Sequence, residues 1–487
     1  MFRAGNPTEL GPAQSAFCLR NYTLKATTTQ PHRSLLRQAL TLCIIDGVAA
    51  SPLCYLWLPG NFIIAALLTE NFHLSEASYG LIVSLPFLAN FLQIFLTPPL
   101  AHFFSAKSIT LVAAWGNAAG WLAMAVVLSF LPRGDPVAST PVFFWFFFGF
   151  SLLASINGVT WNAWTQEWSP ERLRGNYFGF RNGLIQAATV LFLVVVWGTL
   201  RLSQGSLLAM QGVIVVSVAF RVASIIAQHR LDAAAPAAVA AAPLSWREQL
   251  QTIRRSNSLL MFIAFGAIWG FAYNSLGPFY PVFMYKQLGL SLDHVCLFII
   301  LNTVGAAVTM PTWGRLLGRL GNKSVMAAAI LLWQAQFLVW FFLDRDNAWL
   351  LYPLWIWNGF TWAGFTLGLF NMLLKLIPPE AKTIAIGINT AVTSIVTAVA
   401  PIISGAAITY ALDHGWDAMR VYHYAFALQT APAFVSCLVL LRVQEPKASP
   451  LSAVFGAMRN IRTLGAMLGL TFIANYVFVK PTRRHVR

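Results

Sequence analysis

LRQALTLCIIDGVAASPLCYLWLPGNFIIAALL, residues Leu36–Leu68, is almost wholly apolar and holds a single acid, Asp46, in its interior. An uncharged apolar run of roughly 20 residues is what an α-helix needs to cross a hydrocarbon core about 30 Å thick. Runs of the same kind return near Ala77–Phe103, Ser108–Leu131, Pro141–Trp168, Arg172–Leu200 and Ser206–Gln228. A second set lies near Asn257–Met284, Leu292–Leu317, Ser324–Leu343, Trp349–Ile377, Ala381–Leu412 and Val421–Leu441. Their apolar character is continuous, without period-two alternation, so they read as helices and not as barrel strands. With 57% of 487 residues hydrophobic and 10% charged, no soluble interior could hide so many runs. The chain reads as an all-α polytopic membrane protein with twelve transmembrane helices, and the lipid bilayer is its solvent.

Charge sets the expected orientation. Arg33, Arg37, Lys107, Arg172, Arg174, Arg230, Arg247, Arg254, Arg255, Arg315, Arg319, Lys323 and Lys382 fall on one side of the twelve spans. Glu70, Glu76, Asp135, Asp293, Asp344, Asp346, Asp413 and Asp417 fall on the other. The positive-inside rule then places both termini in the cytoplasm and the chain in a cell (inner or plasma) membrane. The net charge of +16 is therefore a topology signal, and nucleic acid is not among the expected partners. Cys18, Cys43, Cys54, Cys296 and Cys437 have neither metal-ligand nor disulfide-framework spacing. No Walker-type glycine loop appears, and no cluster of His, Asp, Glu or Cys collects at a membrane face. Nothing implies an enzyme, a metal or a cofactor.

The segment Leu231–Ser256, Ala/Pro-rich at its start and basic and amphipathic at its end, reads as a linker with a surface-lying helix. The expected organisation is a cytoplasmic leader (1–34), a six-helix bundle (35–228), the linker (229–256), a second six-helix bundle (257–443) and a tail (444–487). In the tail, Leu464–Val479 is short and flanked by basic residues on both sides, which favours an interfacial helix over a thirteenth span. The halves look like copies. Lys107-Ser108 and Lys323-Ser324 stand 216 positions apart, and SPERLRG (Ser169–Gly175) pairs with PPEAKTI (Pro378–Ile384). Two six-helix halves of one orientation are a parallel repeat.

On these features the chain resembles a major facilitator superfamily transporter over about Leu35 to Arg442. GRLLGRLGNK, Gly314–Lys323, is similar to that family's loop motif. Gly314, Arg319, Gly321 and Lys323 match it, while Gly318 stands in place of the usual acid. The N-terminal counterpart, PPLAHFFSAK (Pro98–Lys107), keeps only Lys107. Span four lacks the buried arginine of many proton-coupled members, and span five lacks the Gly/Pro pattern of drug antiporters. The resemblance implies alternating access within a single chain, with spans three, six, nine and twelve outside the central cavity.

Ionisable groups inside a bilayer are costly and mark pathways by default. Asp46 lies about ten residues into span one and Arg181 about nine into span five, each ~15 Å deep at 1.5 Å per residue. Both spans start from the basic side, so the two charges share a depth. They read either as a substrate- or proton-linked pair or as a static brace between helices. Neutral polar groups join them: Asn90, Asn157, Asn182, Gln186, Asn274, Asn302, Asn358 and Asn389, with Trp362 among the aromatics. Amides beside Trp suit a polar ligand with an apolar face, such as a sugar. Arg221 reads as snorkelling from the end of span six. Pro52, Pro59 and Gly60 in span one, and Gly277, Pro278 and Pro281 in span seven, read as outer gate elements. Glu167, Arg174, Arg315 and Arg319 read as an inner gate whose pairs break on opening. The function expected is secondary transport of a small polar, sugar-like solute by proton symport. Alternatives are a uniporter, metabolite or drug efflux, or a membrane sensor without turnover.

Overall fold

The structure is a computed structural model that describes residues 29–168, 171–231, 246–378, 381–445 and 448–459. The leader to residue 28, most of the linker and Leu464–Val479 lie outside the described residues. Every regular element among the described residues is a helix. Eleven helical stretches are long and apolar enough to cross a membrane. A further helix, Leu351–Leu376 with 26 residues, takes the tenth position, so the twelve expected spans each have a helix in chain order.

Several of these helices start on a side chain that accepts an otherwise orphaned backbone N–H. Ser75 caps span two (Glu76–Phe103), Ser105 caps span three (Ala106–Val127) and Ser206 caps span six (Leu207–His229). Asp417 does the same for span twelve (Ala418–Arg442). Such caps meet end groups that the helix itself cannot satisfy. The amphipathic helix Trp246–Arg255 precedes span seven. It buries Ile253 against Leu259, Ile263, Ile377 and Ala385 while leaving Arg254 and Arg255 exposed.

Three spans are interrupted. Span one runs as Thr29–Leu56, straight through Pro52, and resumes at Phe62–Ala66 after a turn in which Gly60 adopts φ +73°. Span seven divides into Asn257–Leu276 and Phe279–Lys286 at Gly277-Pro278. Span nine divides into Asn322–Gln334 and Phe337–Phe342.

Small residues set the closest helix contacts, as they do where lipid removes any hydrophobic drive between helices. Spans two and eleven approach across the two halves at Gly80, whose added Cβ would sit 2.3 Å from the Pro401 carbonyl oxygen, and at Gly405, 2.3 Å from that of Glu76. One large apolar core joins both halves at the face opposite the basic loops, from Leu53–Phe72 to Phe279–Leu288 and Tyr422. Toward the basic face the clusters belong to one half each: Ala39, Cys43, Trp164 and Trp168 in the first, Ile253, Leu259 and Ile377 in the second. Among the described residues, the halves thus share an apolar core at one face and none at the other.

Candidate functional site

Two adjoining cavities lie where the halves meet, the first walled by the second half and Phe87 and the second by both halves. One, of about 380 Å³, is lined by Trp269, Tyr273, Asn274, Trp362, Asn389 and Thr393, with others of spans seven, ten and eleven. The second, of about 370 Å³, is lined by Tyr55, Asn61, Asn302, Trp355 and Asn358, and shares Phe87, Tyr273, Asn274 and Trp362 with the first. No described residue of spans three, six, nine or twelve lines either one. Within them Asn302 Nδ2 donates to Asn358 Oδ1 at 3.1 Å, and Asn274 Nδ2 donates to the Gly270 carbonyl at 3.0 Å. Tyr273 and Trp362 stack with centroids 4.9 Å apart. Asn274, Asn302, Asn358, Asn389 and Trp362 of the expected set are therefore brought together. Asn90, Asn157, Asn182 and Gln186 line neither cavity; Asn182 and Gln186 are exposed on span five (Glu171–Leu202).

Asp46 and Arg181 do meet, at 3.7 Å between Oδ2 and Nη2, and both are buried. Gly47 makes room for this: an added Cβ would stand 2.5 Å from Arg181 Nη2. The Arg181 guanidinium lies 4.6 Å over the Trp161 ring and donates through Nε to the Cys43 carbonyl at 2.9 Å. The Asp46 carboxylate accepts from Trp161 Nε1 at 3.0 Å, Ser224 Oγ at 2.6 Å and Gln228 Nε2 at 2.8 Å. Three hydrogen bonds and one ion pair on a single carboxylate hold it by charge-assisted contacts.

Span six supplies a member that charge placement alone missed. Arg221 does not snorkel; it is 6% exposed and donates to Ser224 Oγ and Asn157 Oδ1, each at 3.0 Å. Asn157 passes the connection on to the Thr110 carbonyl at 2.8 Å. The site thus ties spans one, three, four, five and six into one polar network, and none of its charged members lines either cavity.

The interrupted spans meet at the face where the halves are packed together. Gly60 sits against Pro278, where a Cβ would come within 2.7 Å of the proline Cα. Tyr79 donates to the Pro278 carbonyl at 2.8 Å, and Tyr285 donates to the Phe62 carbonyl at 3.0 Å. Lys286 Nζ meets Glu76 Oε1 at 2.8 Å, with Tyr422 at 3.4 Å from the same oxygen. Each contact joins one half to the other.

A family model described as Major Facilitator Superfamily matches residues 54–295 and again 266–479. The chain belongs to the major facilitator superfamily. It is accordingly a membrane transporter and not an enzyme. Among solved structures, a mutant form of the nucleoside transporter NupG aligns with TM-score 0.61 at 17% identity, over 84% of this chain and 100% of that one. A bacterial homologue of the human lysosomal transporter Spinster, in an inward-facing and unoccupied conformation, aligns with TM-score 0.60 at 12% identity, over 86% and 100%. A bacterial homologue of the iron transporter ferroportin in an inward-facing state gives 0.61 at 12%, over 84% and 98%. At such identities the likeness concerns the fold alone. No curated protein matches the sequence.

The superfamily's loop motif between spans eight and nine is anchored from an unexpected quarter. Glu445, beyond span twelve, accepts from the Asn322 backbone N–H at 3.1 Å and the Lys323 backbone N–H at 2.8 Å, and pairs with Lys375 at 3.1 Å. Burial pushes the Glu445 carboxyl up, but these hydrogen bonds outweigh it and hold it below its ordinary value. A carboxylate at a helix N-terminus also opposes the helix dipole. Gly321 allows the turn with φ +91°, packed on Ala448. Gly314 and Arg315 are exposed, and neither Arg315 nor Arg319 forms an ion pair among the described residues. The side chains of Glu167 and Arg174 lie outside the described residues. Lys107, the N-terminal counterpart of Lys323, donates to the His229 and Leu231 carbonyls at 3.3 and 3.2 Å.

Proposed function

We propose that the chain moves a small polar organic solute, sugar-like in its chemistry, through the paired central cavities by alternating access, coupled to protons at Asp46. The observation that carries this reading is the cavity wall itself: amides of Asn274, Asn358 and Asn389 beside the rings of Tyr273 and Trp362. Amides offer donors and acceptors to hydroxyl groups, and rings cover an apolar face. A nucleoside, the cargo in the name of one structural neighbour, meets the same description.

We orient the basic loops, and both termini, toward the cytoplasm of a cell membrane, so the conformation faces inward. Closing the basic face while parting Glu76 from Lys286 would turn the cavities outward, the two halves rocking about the solute. A single chain suffices for this pathway. Asp46, held by Arg181, Trp161, Ser224 and Gln228, is the titrating group of the coupled reading. A second reading, uniport with the Asp46 network as a brace, is favoured by one fact: neither central cavity reaches Asp46. Uptake into proteoliposomes with and without an imposed pH gradient separates them. Uptake that follows the gradient supports symport; uptake indifferent to it supports uniport.

A further inference from the structure

The cavities carry an inference that rests on this transport reading and narrows its cargo: we propose that the solute is electrically neutral. Among the described residues, neither cavity is lined by an Asp, Glu, Lys, Arg or His. An ionised group entering such a space gives up its hydration and receives only dipoles in return, which is costly. The fold shows what holding a charge requires. Asp46 has Arg181 and three hydrogen-bond donors, and Glu76 has Lys286 and Tyr422. Among the described residues, the cavity walls have nothing comparable for a phosphate, a carboxylate or an ammonium group.

What the walls do offer suits uncharged groups of both hydrogen-bonding senses. Asn274 commits its Nδ2 to Gly270, leaving its Oδ1 as an acceptor. Asn358 commits its Oδ1 to Asn302, leaving its Nδ2 as a donor. Asn389 contributes a whole side-chain amide that makes no hydrogen bond among the described residues. Hydroxyls and neutral amides use such mixed partners, since each hydroxyl both donates and accepts.

Aromatic walls could instead hold an organic cation by its charge. The rings argue against that here. Trp269 and Tyr273 lie with planes 25° apart and Tyr273 and Trp362 with planes 28° apart, so the rings form a near-parallel row that can cover one apolar face but does not surround a cation as a cage would. The class selected is therefore an uncharged sugar or nucleoside, over its phosphate, uronate, amine or nucleotide counterpart.

The test is competition binding on the purified full-length protein in lipid vesicles at pH 7, with matched pairs. Glucose is set against glucose 6-phosphate, glucuronate and glucosamine; uridine against uridine 5′-monophosphate; and choline stands alone as a cation. Within the pair that binds, the ionised member is expected to be weaker by roughly 100-fold, the scale on which unpaired polar groups are rejected. An ionised member within tenfold of its neutral parent, or choline binding more tightly than every neutral compound, overturns neutrality and leaves the transporter intact. Silence from all neutral members, with uptake of other solutes unaffected by Trp362→Ala and Asn389→Ala, overturns the sugar-like reading beneath it.

Discussion

Removing the charge from Glu76 should unlatch the closed face. Its carboxylate is 5% exposed, sits at the start of span two, and meets Lys286 of the other half at 2.8 Å. Deleting one partner of a fully buried pair costs about 3–5 kcal/mol, because the survivor is left uncompensated. Here the Lys286 side chain is 27% exposed, so a freed ammonium rehydrates and the cost falls to about 1–2 kcal/mol. Since 1.4 kcal/mol is a factor of ten, Glu76→Gln should move the closed-to-open ratio at this face by roughly five- to thirtyfold. Tyr79, Tyr285 and the Gly60–Pro278 contact remain, so the face should loosen rather than unfold. Spin labels at the exposed positions Val137 and Trp349, one in each half, would report the separation by pulsed dipolar spectroscopy. A longer-distance population should appear in Glu76→Gln and in Lys286→Met, and recede in the charge-swapped double variant. Unchanged distance distributions in both single variants would refute the latch.

Other consequences follow from the same geometry. Gly47→Ala places a methyl where Arg181 Nη2 now lies; forced repacking of this kind costs about 1–3 kcal/mol, and the melting temperature in detergent should drop with it. Arg221→Met strips Ser224 and Asn157 of a charged donor and should cost about 2 kcal/mol; an unchanged melting temperature would return Arg221 to a mere topology signal. Glu445→Gln should destabilise the loop at pH 7 by about 1–3 kcal/mol. Because the folded Glu445 carboxyl is held below its ordinary value, its contribution is complete above that ordinary value and fades as pH falls through the lowered one. Thermal unfolding of wild type and Glu445→Gln should therefore converge in acid and stay separate at neutrality. Trp362→Ala removes a ring shared by both cavities and should weaken solute binding roughly five- to thirtyfold, about 1–2 kcal/mol.

Much of the fold was legible because bilayer physics writes it plainly. Apolar run length located the spans, and Gly60 and Gly277-Pro278 marked two breaks that pack against each other. Depth along each helix brought Asp46 level with Arg181, since rise per residue is fixed. Rotation about the helix axis is harder to read in a segment that is apolar nearly all round. That is why Asn182 and Gln186 could not be told from cavity residues, and why Arg221 looked like a snorkelling end group. Yet span six did carry a signal: Ser217, Arg221, Ser224 and Gln228, spaced four, three and four apart, make one helical stripe, and all four are buried. Lys286 with Glu76, and Glu445 with Lys323, depend on contacts 210 and 122 residues apart in sequence, which no local pattern records.

The central claim, that solute movement through the cavities is coupled to a proton at Asp46, is tested most directly by one comparison. Proton flux is recorded in liposomes holding wild type or Asp46→Asn while a transported neutral sugar or nucleoside is added. Proton uptake that depends on solute is expected in wild type and should disappear in Asp46→Asn, while solute still exchanges. Solute flux without proton movement, unaltered in Asp46→Asn, would contradict it and leave the Asp46–Arg181 network as a brace.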